Sequence, residues 1–181
     1  HFSFSSDDYI KPTVLPFVDI INPNLTEGSS YGYRDYRDII TPSALVKKYI
    51  FRGFLKSYHM ECKFDSSTEQ DFAFILESDS SVIRWLRPAP NQFRIYWANN
   101  SKRYEPDFIV EKADAIYMIE TKRADEINKD EVVAKKMAAE EYCKNATEYT
   151  AENGGKQWKY AMFAHDIVSR SSSFEYLLAR S

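Results

Sequence analysis

At 181 residues the chain is long enough for one full domain with an appendage, and its 44% hydrophobic and 28% charged content excludes a wholly disordered protein. No apolar run approaches the length needed to span a bilayer, and the formal net charge of −3 gives no global signature of polyanion binding. The start, His1-Phe2-Ser3-Phe4-Ser5-Ser6, lacks both a secretory leader pattern and an initiator methionine, so a cytoplasmic piece of a longer protein is expected, with no membrane attachment.

Residues 1–40 are rich in Tyr, Pro, Asn and Ser. Within them Val14–Ile21 reads as a short strand that Pro16 confines to an edge. Thr41-Pro42 supplies an N-cap followed by proline at the first helical position, which predicts a helix through about Ile50. Ser67 or Thr68 caps a second helix that carries Phe72, Ile75 and Leu76 and ends near Ser78. Strands follow at Val82–Arg87 and Phe93–Trp97, the first stopped by Pro88-Ala89-Pro90 and the second by a turn at Asn99-Asn100-Ser101. Two further strands, Asp107–Val110 and Ala115–Glu120, precede a long helix from about Lys129 to Ala151 that Gly154-Gly155 terminates. A strand at Trp158–Ala164 and a short helix at Phe174–Ala179 close the chain. The order from Ser66 is α-β-β-β-β-α-β-α, an α/β domain with a mixed central sheet flanked by helices.

Cys62 and Cys143 stand far apart with no CxxC spacing, so they read as reduced, buried thiols rather than a disulfide or zinc framework. GxxxxGK[ST], HExxH and GxSxG are all absent, which leaves ATP binding, zinc proteolysis and serine hydrolysis without support in these residues. Between Ser80 and Tyr104 lie five basic residues (Arg84, Arg87, Arg94, Lys102, Arg103) and no acidic one. They read either as contacts to a phosphate backbone or as solvated strand edges.

The chemistry concentrates at Pro106-Asp107 and Glu120-Thr121-Lys122. Side chains alternate along a strand, so Glu120 and Lys122 project from one face. If Ala113 and Asp114 form a two-residue hairpin loop, Asp107 sits directly opposite Glu120, with Cβ atoms about 4.5–5.5 Å apart. Two like charges so placed destabilise a hairpin unless a cation lies between them. Mg²⁺ suits that place, because it takes hard oxygen ligands and commonly uses one or two carboxylates with water and a phosphate. Lys122 is then placed to stabilise developing charge or to help activate a water. The alternative is a solvated hairpin in which Glu120 and Lys122 form a weak same-face ion pair.

Longer blocks in the same order carry a resemblance. Lys63-Phe64-Asp65-Ser66-x-x-Glu69-x-x-Phe72, Trp85-Leu86-Arg87-Pro88, Tyr104-x-Pro106-Asp107-Phe108-Ile109-Val110, Ile119-Glu120-Thr121-Lys122, Lys136-x-x-Ala139-x-x-Tyr142-Cys143 and Gly154-Gly155-Lys156-x-Trp158-x-Tyr160 resemble the C-terminal endonuclease domain of type III restriction enzyme Res subunits. Those domains belong to the PD-(D/E)XK nuclease superfamily. The resemblance covers about Lys63 to Ile167. It implies a restriction-endonuclease-like core over 63–181, with 1–62 as an accessory segment leading from an upstream motor. It also implies Mg²⁺-dependent hydrolysis of double-stranded DNA, with Mn²⁺ as a substitute. ATP would act only through an upstream helicase domain of the same polypeptide, and a methyltransferase subunit would be the partner. Asp107 and Glu120 match the metal ligands, Lys122 the catalytic lysine, Glu69 an additional acid, and Thr121 a backbone-carbonyl ligand.

Each residue also has a plainer reading. Glu69 lies in a first helical turn, where acids favour the helix dipole. Lys136 shares a stripe with Val132, Ala139 and Cys143 and either reaches a phosphate or snorkels past the helix edge. Arg84, Arg87 and Lys102 are candidate DNA-backbone contacts of open orientation. Tyr142 and Trp158 read as core, and His59 and His165 as non-ligands. A repair or recombination nuclease with the same core, or a catalytically silent DNA-binding module, would carry the same pattern.

Overall fold

The computed structural model describes residues 19–93, 95–97 and 102–181. Three short strands come first: β1 (Tyr33–Asp35), β2 (Ile50–Arg52) and β3 (Glu61–Cys62). Helix α1 (Ser67–Ser78) leads to β4 (Val82–Leu86), β5 (Ile95–Trp97), β6 (Lys102–Tyr104), β7 (Phe108–Lys112) and β8 (Ala115–Lys122). Helix α2 (Asp130–Glu152), β9 (Gln157–Ala164) and α3 (Phe174–Leu178) complete the order. The protein is therefore mixed α/β. Among the described residues, no helix is long and apolar enough to cross a membrane.

The central sheet runs β4-β7-β8-β9. Its first two pairings are antiparallel and β8–β9 is parallel, with α2 as the crossover that parallel neighbours require. Alternation divides the two faces. Ala115, Tyr117 and Ile119 of β8 join Phe108 and Val110 of β7 in one core, while Met118 and Ile109 face the other. The first face packs on α1 through Phe72, Ile75 and Leu76, and on α3 through Phe174 and Leu177. The second packs on Ala138, Ala139 and Cys143 of α2, roofed by Ile95, Trp97 and Tyr104 of the β5–β6 hairpin.

Local signals set several boundaries. Ser66 caps α1, its side chain accepting from the Glu69 N–H at 3.3 Å. Gly154 follows the end of α2 with φ of +73°, a conformation that favours glycine. The β7–β8 register pairs Phe108 with Ile119 and Glu111 with Ile116, which leaves Ala113 and Asp114 as the two-residue loop expected from sequence.

Elsewhere the structure differs from expectation. The helix expected from Thr41 to about Ile50 is a 3₁₀ turn over Ser43–Lys48, because Ile50–Arg52 leave it to pair in parallel with Tyr33–Asp35. The sheet β1-β2-β3 and strand β6 are additions to the expected order. Of the expected edge strand Val14–Ile21, residues 14–18 lie outside the described set, and 19–21 are not in a strand. The turn expected at Asn99–Ser101 also lies outside it. Tyr36, Ile40, Val46 and Phe51 share the core of Phe64 and Phe72, so packing is continuous across the boundary placed at 62/63.

Phe108 is the hub of the first core. Its ring centroid is 4.9 Å from Phe72, 5.7 Å from Trp85 and 6.2 Å from Phe64. Replacing this fully buried ring in Phe108→Ala is expected to cost about 3–5 kcal/mol, measured by urea denaturation. A loss below about 1 kcal/mol would remove Phe108 from that role.

Candidate active site

Asp107 stands one residue before β7, where its N–H donates to the Ile119 carbonyl at 3.1 Å. The paired register ends at Phe108 and Ile119, so Asp107 and Glu120 are the next residues along the two strands. Strand alternation turns Glu120 toward the α2 side of the sheet, where Tyr104 meets it, while the Asp107 carboxylate lies between Thr121 and Arg87. Asp107 Oδ2 accepts from the Thr121 N–H at 2.9 Å and from its hydroxyl at 3.3 Å. Thr121 itself is buried. Lys122 projects beside Glu120, its Nζ 3.9 Å from Glu120 Oε1. Asp107, Glu120, Thr121 and Lys122 are thus gathered at one end of the hairpin.

Glu120 sits in an unfavourable place for a charge. Burial, then the negative charge of Asp107, push its carboxyl up to about 8, against smaller opposing effects of Lys122 and the Tyr104 hydroxyl. Tyr104 donates to Glu120 Oε2 at 3.1 Å. Its own ionisation is driven far upward by burial and by Glu120, so it stays a neutral donor. Lys135 of α2 also lowers the Glu120 value, which places its charge within electrostatic reach.

Glu69 lies on the opposite side of the sheet and is not free. Its Oε2 accepts from the Asp65 N–H at 2.6 Å and from Arg87 Nη2 at 2.8 Å. Burial is the largest effect raising its carboxyl to about 7, with Arg87 opposing and Asp107 adding. Arg87 is the link between the acids. Its Nη1 donates to the Asp107 carbonyl at 2.9 Å and stands 3.6 Å from Asp107 Oδ1, while Nη2 lies 3.3 Å from Asp65 Oδ2. The guanidinium stacks over Phe108, 5.3 Å from the ring centroid.

The candidate DNA contacts divide accordingly. Arg87, with a side chain 15% exposed, is a buried clamp and not a surface contact, because it shares the inward face of Trp85. Arg84 is exposed and pairs with Glu111. Lys102 is exposed, 3.8 Å from Glu131, and lies over the Trp97 ring at 5.0 Å. Lys136 is exposed on α2. Its neighbour Lys135 is the half-buried one, 5.6 Å from the Trp97 ring and near Glu120.

Sequence reasoning missed Tyr104, Lys135 and His165 as members of this neighbourhood. His165 follows β9, and its imidazole is held neutral by burial despite the nearby charge of Asp107. The signal for Tyr104 was its place in the block around Pro106-Asp107. The signal for Lys135 was its spacing of three and four from Ala138 and Ala139.

Among the described residues no three or more His, Cys, Asp or Glu side chains gather as a ready-made metal cage. The donor chemistry at Asp107 and Glu120 instead fits a two-carboxylate site for a hard cation, completed by water and a substrate oxygen. A cation between the two would offset the cost that burial and the Asp107 charge place on ionising Glu120. No family model matches the chain, and no curated protein or solved structure matches it.

Two predictions follow from the electrostatics of Arg87 and Glu120. Arg87→Met leaves Glu69 buried without its cation and is expected to lower unfolding free energy by about 3–5 kcal/mol in urea titration. The double variant with Glu69→Gln should recover most of that loss; no recovery would show that Arg87 acts through packing alone. Glu120 has a folded-state value of about 8, above its unfolded value of 4.5, so it binds its proton more tightly when folded. Stability from this group is complete below pH 4.5 and falls on the order of a few kcal/mol as pH rises through 8. Thermal melts of Glu120→Gln should therefore decline less between pH 5 and 8.5 than those of the parent, and parallel curves would contradict this.

Proposed function

We propose that the chain is a Mg²⁺-dependent nuclease domain hydrolysing phosphodiester bonds of DNA, with Asp107, Glu120 and Lys122 as its catalytic residues. One observation carries the reading. Asp107 and Glu120 directly follow the Phe108–Ile119 pair at one end of the β7–β8 hairpin, and the Lys122 ammonium lies on the same face of β8 as Glu120, 3.9 Å away. An acid pair closed by a lysine has an evident use in holding a hard cation and a phosphate, and none in packing a core.

Asp107 and Glu120 would hold the cation, with the Thr121 carbonyl as a further oxygen. Mg²⁺ supplies Lewis acidity and a water of lowered pKa. The protein's own groups do the rest. The Thr121 N–H and hydroxyl fix Asp107 Oδ2, and the Tyr104 hydroxyl fixes Glu120 Oε2, so neither carboxylate must be ordered during reaction. Lys122 offers positive charge where negative charge builds up on the phosphoryl oxygens. Glu69 acts indirectly, holding Arg87 against the Asp107 carbonyl. The exposed Lys102 and Lys136 would steer the DNA backbone.

The sequence blocks from Lys63 to Ile167 support the narrower proposal of a restriction-endonuclease-like core belonging to a type III restriction helicase-nuclease. In that setting an upstream ATPase motor and a methyltransferase subunit would be the partners.

Asp107→Asn, Glu120→Gln and Lys122→Met are each expected to lower Mg²⁺-dependent DNA cleavage by about 100-fold or more while circular dichroism stays unchanged. Calorimetry should show Mg²⁺ or Mn²⁺ binding lost in Asp107→Asn and kept in Lys122→Met. Full activity of Asp107→Asn would refute the assignment. DNA binding with neither metal binding nor cleavage in the parent would mark a silent binding module instead. Preferential cleavage of junctions or flaps over linear duplex would point to a repair nuclease.

A further inference from the structure

A cavity of about 400 Å³ opens beside the acid pair, with Asp107 and Arg87 in its wall. Its volume is that of a small-molecule site. We propose that it is a subsite for one unstacked nucleobase of the cleaved strand, next to the scissile phosphate, and that it favours a base bearing an exocyclic amino group. The inference rests on the nuclease reading of Asp107 and Glu120.

The lining selects against an anion. Its acids are Glu27, Asp65 and Glu105 besides Asp107. Its two cations already have partners: Arg87 holds Glu69 and the Asp107 carbonyl, and Lys63 Nζ donates to the Glu27 carbonyl. His59, also in the wall, is kept neutral by burial. A phosphate entering here would meet carboxylates with no uncommitted positive charge. A neutral ring with N–H donors on its edge would meet acceptors.

The remaining walls are apolar. Pro23, Pro88, Pro90 and Pro106 present rings without N–H groups, surfaces against which a flat base loses water without losing a hydrogen bond. His59 is 9% exposed, and its Nε2 has no hydrogen-bond partner. Adenine and cytosine carry amino groups of the kind the acidic rim accepts.

Position completes the argument. Asp107 belongs both to the cavity wall and to the proposed metal site, so a strand whose phosphate lies on the acid pair has its adjoining base at the cavity mouth. A base stacked in duplex cannot enter. Enzymes that accept such a base extrude it or use single-stranded substrate.

The test uses the complete 181-residue chain and oligonucleotides with 2-aminopurine at successive positions around the cut. In metal-free buffer, fluorescence is expected to rise several-fold on binding at one position flanking the cut and to stay flat elsewhere. An abasic site at that position, or purine lacking the amino group in place of adenine, should raise KM at least tenfold with kcat within twofold. Asn24→Trp, at the exposed rim, should abolish the fluorescence rise and raise KM likewise. The DNA modifications keep the test valid if that variant misfolds. Cleavage that proceeds with no position brightening, and with abasic DNA cut as well as intact DNA, overturns the subsite and leaves the nuclease reading standing. Neither binding nor cleavage of any DNA overturns both.

Discussion

Asp107 and Glu120 come to the same end of adjacent strands because a two-residue loop at Ala113-Asp114 fixes the β7–β8 register. A slip of one residue would turn Glu120 toward the Phe72 and Phe163 side and put Ile119 in its place. The core forbids that slip, since Ala115, Tyr117 and Ile119 are all buried on that face. Hydrophobic burial on one side of β8 thus enforces an electrostatic conflict on the other. Burial of Glu120 beside the charge of Asp107, which raises its carboxyl to about 8, is a cost of the fold that the neighbouring groups limit.

The limiting groups come from separate parts of the chain. Arg87 extends from the end of β4, and Tyr104 from the end of β6. Lys122 lies two residues beyond Glu120 on β8 itself. Arg87 also ties α1 to the sheet, because Glu69 and Asp65 bind the guanidinium whose other nitrogen reaches Asp107. Buried ion clusters of this kind seldom add net stability over an apolar substitute. Their value here is positional. Capping of α1 by Ser66 sets Glu69 against Arg87, and Arg87 sets the backbone at Asp107. The placement of Asp107 therefore begins at the N-terminus of α1.

Legibility in the sequence followed the range of the interaction. The Gly154 stop, the Ala113-Asp114 loop and the β8 alternation are local, and each appeared where its residues predict, while the helix cap fell on Ser66, just before the Ser67 or Thr68 expected. The sheet β1-β2-β3 was invisible because strands of two or three residues have no period to detect, and their pairing joins Tyr33 to Ile50. For the same reason Thr41-Pro42 promised a helix that the pairing of Ile50–Arg52 cut short. Arg87 was legible in principle: two residues past Trp85, it must share that buried face. Lys135 and Lys136 differ by 100° of helix phase, and the stripe through Ala138 and Ala139 favours the first. Glu69 was read as an acid that could reach a cation, and only the position of Arg87 in space shows that it already has one.

The two cores give the site its character. The first is dense with aromatic rings around Phe108 and supplies a rigid floor beneath β7 and β8. The second is thin: Ala138, Ala139 and Cys143 let α2 lie close to the sheet, and the β5–β6 hairpin fills the remaining space with Trp97 and Tyr104. Two-stranded hairpins are marginal on their own, so this one owes its place to those buried rings. It follows that the desolvation of Glu120 is set by the less heavily built half of the domain, through the hairpin residue that also donates its hydrogen bond. Register brings the acids to one end of the hairpin, but the seating of Tyr104 decides how strongly Glu120 resists a bare negative charge.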